Sequence, residues 1–337
     1  MTKLSQSRPA GLDTSAGASK TTGLWSRTWP LLIGLMVTIS LVIASLFIGV
    51  YDLNSEGGSE MFWITRVPRT VALILSGASM AVVGLIMQLM TQNRFVEPST
   101  TGTIEWAGLG LILTYIIVPQ PSLTLRMLVA IVFSLIGTLI FFGFLQRVAL
   151  KSSLVVPIVG LMLGAVVGAV STFVALQTDM LQNLGIWFAG SFTGVTKGRY
   201  ELLWIVALMT IIVYFIADRF TVAGLGQEIA TSVGLNYRAV VLTGILIVAV
   251  VTGVVSVVVG SLPFLGLVVP NIVSMFRGDN LRSNLPWVML VGIVVITLTD
   301  IIGRTVIMPF EIPVSMILGV LGATVFVYLI VKRGRRG

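Results

Sequence analysis

Long apolar stretches alternate along this chain with shorter polar segments. A helix rises about 1.5 Å per residue and the hydrocarbon core of a bilayer is about 30 Å thick, so each crossing needs roughly 20 apolar residues. Ten segments qualify: 30–50, 68–91, 101–118, 125–146, 154–176, 200–217, 237–258, 262–277, 286–303 and 314–332. Residues 41–50 and 240–259 are nearly unbroken apolar runs, whereas the strands of a membrane barrel would alternate apolar and polar positions over short segments. The pattern predicts an all-α integral membrane protein, with a ten-helix transmembrane domain over residues 29–337. Residues 1–28 are rich in Ser, Thr, Gly and Ala, lack an apolar face and read as a disordered tail.

Composition sharpens this picture. With 56% hydrophobic and 10% charged residues in 337, the chain lacks the polar side chains needed to cover a water-soluble particle of its size. It has neither Cys nor His. Disulfides, thiolate or imidazole metal sites, cysteine nucleophiles and His-dependent triads are thereby excluded. Residues 17–21 (GASKT) lack the glycine before Lys20 and the preceding strand that a phosphate loop requires.

Ten spans put both termini on one side. If that side is cytoplasmic, the inner segments hold 15 of the 21 basic residues and the outer ones six: Arg66, Arg69, Arg126, Lys197, Arg199 and Arg304. The positive-inside rule therefore predicts cytoplasmic termini and explains the net charge of +8 without nucleic acid.

Charged groups in lipid are costly, so carboxylate positions bear on mechanism. Glu105 falls near the inner end of the third predicted span, and Asp300 near the outer end of the ninth, one turn from Arg304 and able to pair with it. No carboxylate falls mid-span in this reading, which disfavours a proton- or sodium-driven carrier.

Three groups of residues are candidates for function. The polar stretch 218–238 contains Gly226, Gln227, Glu228, Ala230, Ser232 and Gly234, which read as a short helix ended by a glycine. It is either a simple connection between spans or a knob gripped by a partner. Arg66-Val67-Pro68-Arg69 opens the second span with Pro at a helix start, and Arg304 ends the ninth on the same side. These arginines read as headgroup anchors or docking residues. Gly160, Gly164 and Gly168 repeat at i, i+4 and serve either close helix packing or the wall of a pathway.

Several ordered motifs carry a family resemblance: R-x-P-R at Arg66 to Arg69, Gly77, G-L-I-M-Q from Gly84, N-R-F-V-E-P-S-T-T-G from Asn93, W-F-A-G-S from Trp187, the loop from Gly226 to Gly234, P-F-L-G-L-V-V-P from Pro263, Asp300 with Arg304, and E-I-P-V from Glu311 followed by Gly319 and Gly322. From about residue 60 onward the chain resembles the FecCD family of ABC importer permeases, which carry ferric siderophores, haem or cobalamin and share the ten-helix, cobalamin-importer-like fold. Asn271 stands where the family often has His, and Phe95-Val96-Glu97 where it commonly has P-L-A. These variants look like the catecholate-siderophore branch.

The resemblance implies that Gly226, Gln227, Glu228, Ala230, Ser232 and Gly234 form the loop that couples to an ATPase. It implies that Arg66, Arg69 and Arg304 dock a substrate-binding protein, and that Gly160, Gly164 and Gly168 flank the pathway. The implied partners are a second permease subunit, two cytoplasmic ATP-binding subunits and an external binding protein, with a ferric siderophore as cargo and the bacterial cytoplasmic membrane as location. ATP and magnesium would sit on the partner ATPase, since this chain has no Walker motif; it is expected to bind no cofactor, metal or nucleic acid and to be no enzyme. The alternatives are an ion-gradient-driven carrier, or the same importer class serving haem or cobalamin.

Overall fold

The computed structural model describes residues 24–49, 58–147, 155–278 and 280–334, and every regular element among them is helical. In chain order these are α1 (Leu24–Phe47), α2 (Gly58–Met61), α3 (Val67–Met90), α4 (Thr103–Ile117), α5 (Leu123–Arg147), α6 (Val155–Gln177), α7 (Leu181–Phe188), α8 (Trp204–Ala223), α9 (Gln227–Ser232), α10 (Tyr237–Val258), α11 (Leu265–Arg277), α12 (Leu281–Thr305) and α13 (Val314–Gly334). Without the short α2, α7 and α9, ten remain, one for each predicted span. The first starts at Leu24, inside the stretch read as a tail; residues 1–23 lie outside the described residues.

The core is built around α3 and α10, whose side chains are buried along most of their length. Small residues set how closely α3 approaches its neighbours. A methyl group on Gly84 would lie 2.0 Å from the Gly266 carbonyl oxygen, and one on Gly292 would lie 2.4 Å from that of Gly77, so α11 and α12 meet α3 backbone to backbone. α1 and α6 instead leave wide apolar faces uncovered, including Met36, Phe47, Met162, Val166 and Phe173.

The second span departs from expectation. Pro68 does not start it: the helical rod is continuous from Gly58 to Met90, and the turn before α3, Phe62–Arg66, is a π-helix. Pro68 has no N–H for the Ile64 carbonyl one turn back, and this local widening absorbs the defect. The Ile64 oxygen accepts the backbone N–H of Lys197 at 3.0 Å instead.

The third span departs more strongly. Residues 91–102 do not lie on the surface but fold back into the bundle, burying Phe95, Val96, Glu97, Thr100 and Thr101. Non-helical backbone at this depth is tolerated only when enclosed by protein, as it is here. As a result α4 is only 15 residues long and begins level with the middle of α6: Gly102 packs on Gly164, the tenth residue of that 23-residue helix. Glu105 faces Gly164 and therefore lies near mid-bundle. This corrects the expectation that no carboxylate sits at that depth.

Candidate functional site

The polar stretch 218–238 forms a knob at one end of the bundle. Gly226 (φ 106°) and Gly234 (φ 83°) bracket α9 in backbone conformations that side chains disfavour, so the chain turns sharply into and out of this six-residue helix. The backbone N–H of Leu235 returns to the Ala230 carbonyl at 3.0 Å, closing the C-terminal end. Ala230 is buried toward the trunk, while Gln227, Glu228 and Ser232 are exposed. Two residues that sequence reasoning passed over, Ile229 and Val233, are exposed beside them and give the knob an apolar tip. Their signal was present: two branched aliphatic residues standing among the polar residues between Gly226 and Gly234. The base of the knob is tied to the core where Gln92 Nε2 donates to the Gly224 carbonyl at 3.3 Å, just beyond the end of α3.

The predicted arginines gather at the other end, the length of α3 away, or about 36 Å for 24 residues. Arg69 donates to Asp300 Oδ1 at 2.7 Å and to Glu311 Oε1 and Oε2 at 3.0 and 2.9 Å. Arg304 Nη2 lies 2.8 Å from Asp300 Oδ2, the pairing the sequence predicted, and its Nη1 donates to the Ser45 and Ile48 carbonyls of the α1 terminus. Arg66 Nη1 donates to the carbonyls of Leu46 and Phe47, both at 3.0 Å. Arg304 is only 5% exposed and Asp300 fully buried. Arg69 and Arg304 are held by the protein's own carboxylates and carbonyls and lock α1, α3 and α12 to the 306–313 loop. Thr193 Oγ1 adds a 2.6 Å bond to Glu311 Oε2. Burial would raise the Glu311 pKa, but the bonds from Arg69 and Thr193 and the neighbouring positive charges hold its carboxyl below the usual carboxylate range.

Between the two ends, the scattered motifs converge into one buried seam. Glu97 Oε1 accepts the backbone N–H of Phe264 at 2.6 Å and the hydroxyl of Ser99. Asn271 Nδ2 donates to the Arg94 carbonyl at 2.8 Å, and Gln88 Nε2 to the Gly266 carbonyl at 3.1 Å. Gly190 abuts Ser261, and its carbonyl accepts Ser315 N–H at 3.1 Å. The departures at Glu97 and Asn271 thus both join the 91–102 segment to α11, Glu97 by binding the residue that precedes the helix and Asn271 by reaching from within it to the Arg94 carbonyl. Of the glycine stripe, Gly160 packs on the Thr100 carbonyl and Gly164 on Gly102, whereas Gly168 has no neighbour within 4 Å of where a methyl group would stand. Among the described residues no cluster of acidic side chains could hold a metal ion.

Comparison with known proteins agrees with this arrangement. The model of the FecCD transport family matches residues 30–332. The chain is 57% identical to the petrobactin import system permease protein FatD of Bacillus anthracis over 92% of either chain. It is 41% identical to the petrobactin import system permease protein YclN of Bacillus subtilis, covering 88% of this chain and 96% of that one. It is 34% identical to the ferric-anguibactin transport system permease protein FatD of Vibrio anguillarum, covering 88% and 97%. In fold it is similar to a metal-chelate type ABC transporter solved in an inward-facing conformation, with a TM-score of 0.78 at 23% identity, covering 90% of this chain and 99% of that one. With the family's model matching residues 30–332 and a relative 57% identical over 92% of this chain, the chain belongs to the FecCD transport family.

Proposed function

We propose that this chain is the membrane-spanning permease subunit of an ATP-driven importer that carries an iron-siderophore complex across the bacterial cytoplasmic membrane. The observation that carries the reading is its 57% identity, over 92% of both chains, to a petrobactin import permease. The distribution of basic residues supports cytoplasmic termini, which puts α9 inside and the Arg69 cluster outside. Exposed Ile229 and Val233, flanked by Gln227 and Glu228, then form the surface that a separate ATP-binding subunit grips, since apolar side chains on a polar knob in water are a contact surface. ATP and magnesium belong to that subunit. At the outer end, Arg66 meets an external binding protein, while Arg69 and Arg304 fix the seat. A second permease subunit, a copy or a homologue, completes the passage.

Reconstitution tests this reading. Liposomes holding the permease pair, the ATPase and the binding protein should take up ⁵⁵Fe-siderophore only with ATP. The double substitution Ile229→Ala, Val233→Ala should reduce ATPase co-purification and uptake while leaving thermal unfolding unchanged. Uptake by this chain alone, driven by an ion gradient without ATP, would overturn the proposal in favour of a secondary carrier.

A further inference from the structure

Beside the base of α9, between the last turns of α5 and the first turns of α10, lies a groove of about 860 Å³. That volume falls within the range of small-molecule sites. Its composition is divided. Toward the middle of the bundle its walls are Leu139, Phe142, Leu242 and Ile245; toward the α9 end they are Gln146, Gln227, Asn236, Tyr237 and Arg238. Leu139 and Leu242 are exposed, so the apolar half opens sideways onto the hydrocarbon-facing surface rather than into the core.

Among the described residues that line the groove there is one cation and no carboxylate. Arg238 forms no ion pair with any described residue, and Gln146 and Tyr237 have no side-chain hydrogen-bond partner among them. An arginine at the edge of the hydrocarbon, above aliphatic walls and with no acidic side chain among the described lining residues, matches the two parts of an amphiphile: an anionic head and acyl carbons. We infer that this groove is a binding site for a phospholipid with an anionic headgroup, the phosphate lying against Arg238 and Gln146 and the upper acyl chains against Leu139, Phe142 and Leu242. Gln227 and Thr231 of α9 line the same groove, so the lipid would brace the knob from the membrane side. A soluble protein partner fits less well, because the apolar half runs along the trunk and away from the exposed tip of α9.

The test uses the full chain, purified in mild detergent, delipidated, and supplied with phosphatidylglycerol or phosphatidylcholine of identical acyl composition; retained lipid is measured by native mass spectrometry. The wild type should retain phosphatidylglycerol about fivefold more strongly, the factor expected for one cation beside an anionic headgroup. Arg238→Gln should abolish that preference while leaving phosphatidylcholine retention unchanged, and Arg238→Lys should restore part of it. Gly143→Leu fills the groove at a position where an added methyl group meets nothing within 4 Å, so it should reduce retention of both lipids without harming the fold. Equal retention of the two lipids by the wild type, or an undiminished preference in Arg238→Gln, would overturn the inference. So would displacement of phosphatidylglycerol by millimolar glycerol phosphate, which would mark a site for free phosphate, or loss of ATPase association in Arg238→Gln with lipid retention intact.

Discussion

The carboxylate of Glu97 accepts the backbone N–H of Phe264 at 2.6 Å, joining residues 167 positions apart. Phe264 precedes α11 with φ 62°, a left-handed conformation uncommon for a bulky residue, and the bond holds it there. Glu97→Ala should leave that N–H unsatisfied in the interior and cost about 1–3 kcal/mol. Glu97→Gln keeps an acceptor oxygen and should lose less. Thermal unfolding in detergent measures both, and an Ala variant as stable as the wild type would contradict this role.

Asp300 bridges Arg69 and Arg304 from a fully buried position. Removing one member of a buried charge network is costly because the remaining charges stay desolvated, so Asp300→Ala should destabilise the protein by roughly 3–5 kcal/mol. Glu311→Ala, whose partner Arg69 keeps Asp300 and whose own side chain is 25% exposed, should cost clearly less. The same unfolding assay ranks them, and the reverse order would refute the network as described.

The depressed Glu311 pKa also predicts a pH dependence. A carboxyl that binds its proton less readily folded than unfolded stabilises the native state fully above its unfolded value of about 4.3, and this contribution fades as pH falls through the lower folded value. The melting-temperature difference between wild type and Glu311→Gln should therefore be largest near pH 7 and shrink below pH 4. A difference that is constant across this range would exclude the linkage.

The three stripe glycines should behave unequally. Gly160→Ala places a methyl group 2.2 Å from the Thr100 carbonyl oxygen and should destabilise by about 1–3 kcal/mol, whereas Gly168→Ala meets nothing within 4 Å and should be neutral. A bulkier Gly168→Trp that leaves stability intact but blocks uptake would assign that position to the passage; unchanged uptake would remove it from the pathway.

Among the described residues seven of the spans were legible as apolar runs of bilayer length, the shorter Thr103–Ile117, Leu265–Arg277 and Val314–Tyr328 by their apolar character alone, and α9 because Gly226 and Gly234 mark its two ends. The fold of residues 91–102 was not. N-R-F-V-E-P-S-T-T-G reads as a surface connection, since the groups that make its burial affordable are distant in sequence: Phe264 for Glu97, and Asn271 for the Arg94 carbonyl. The environment of the arginines was hidden for the same reason. Asp300 lies one turn from Arg304 and could be paired with it by spacing, but its bond to Arg69 spans 231 positions and appears only once α3 and α12 are packed together. Pro68 misled because a proline near the start of an apolar run usually begins a helix, and nothing local signals the π-turn that accommodates it.

That turn leaves the Ile64 oxygen bound to the main chain at position 197, with no side-chain atom in the bond. The stitch between the turn preceding α3 and the segment leading into α8 therefore accepts any amino acid at 197 except proline, which has no N–H to donate. Residues there can diversify to suit whatever approaches this end of the molecule, while the architecture beneath stays the same.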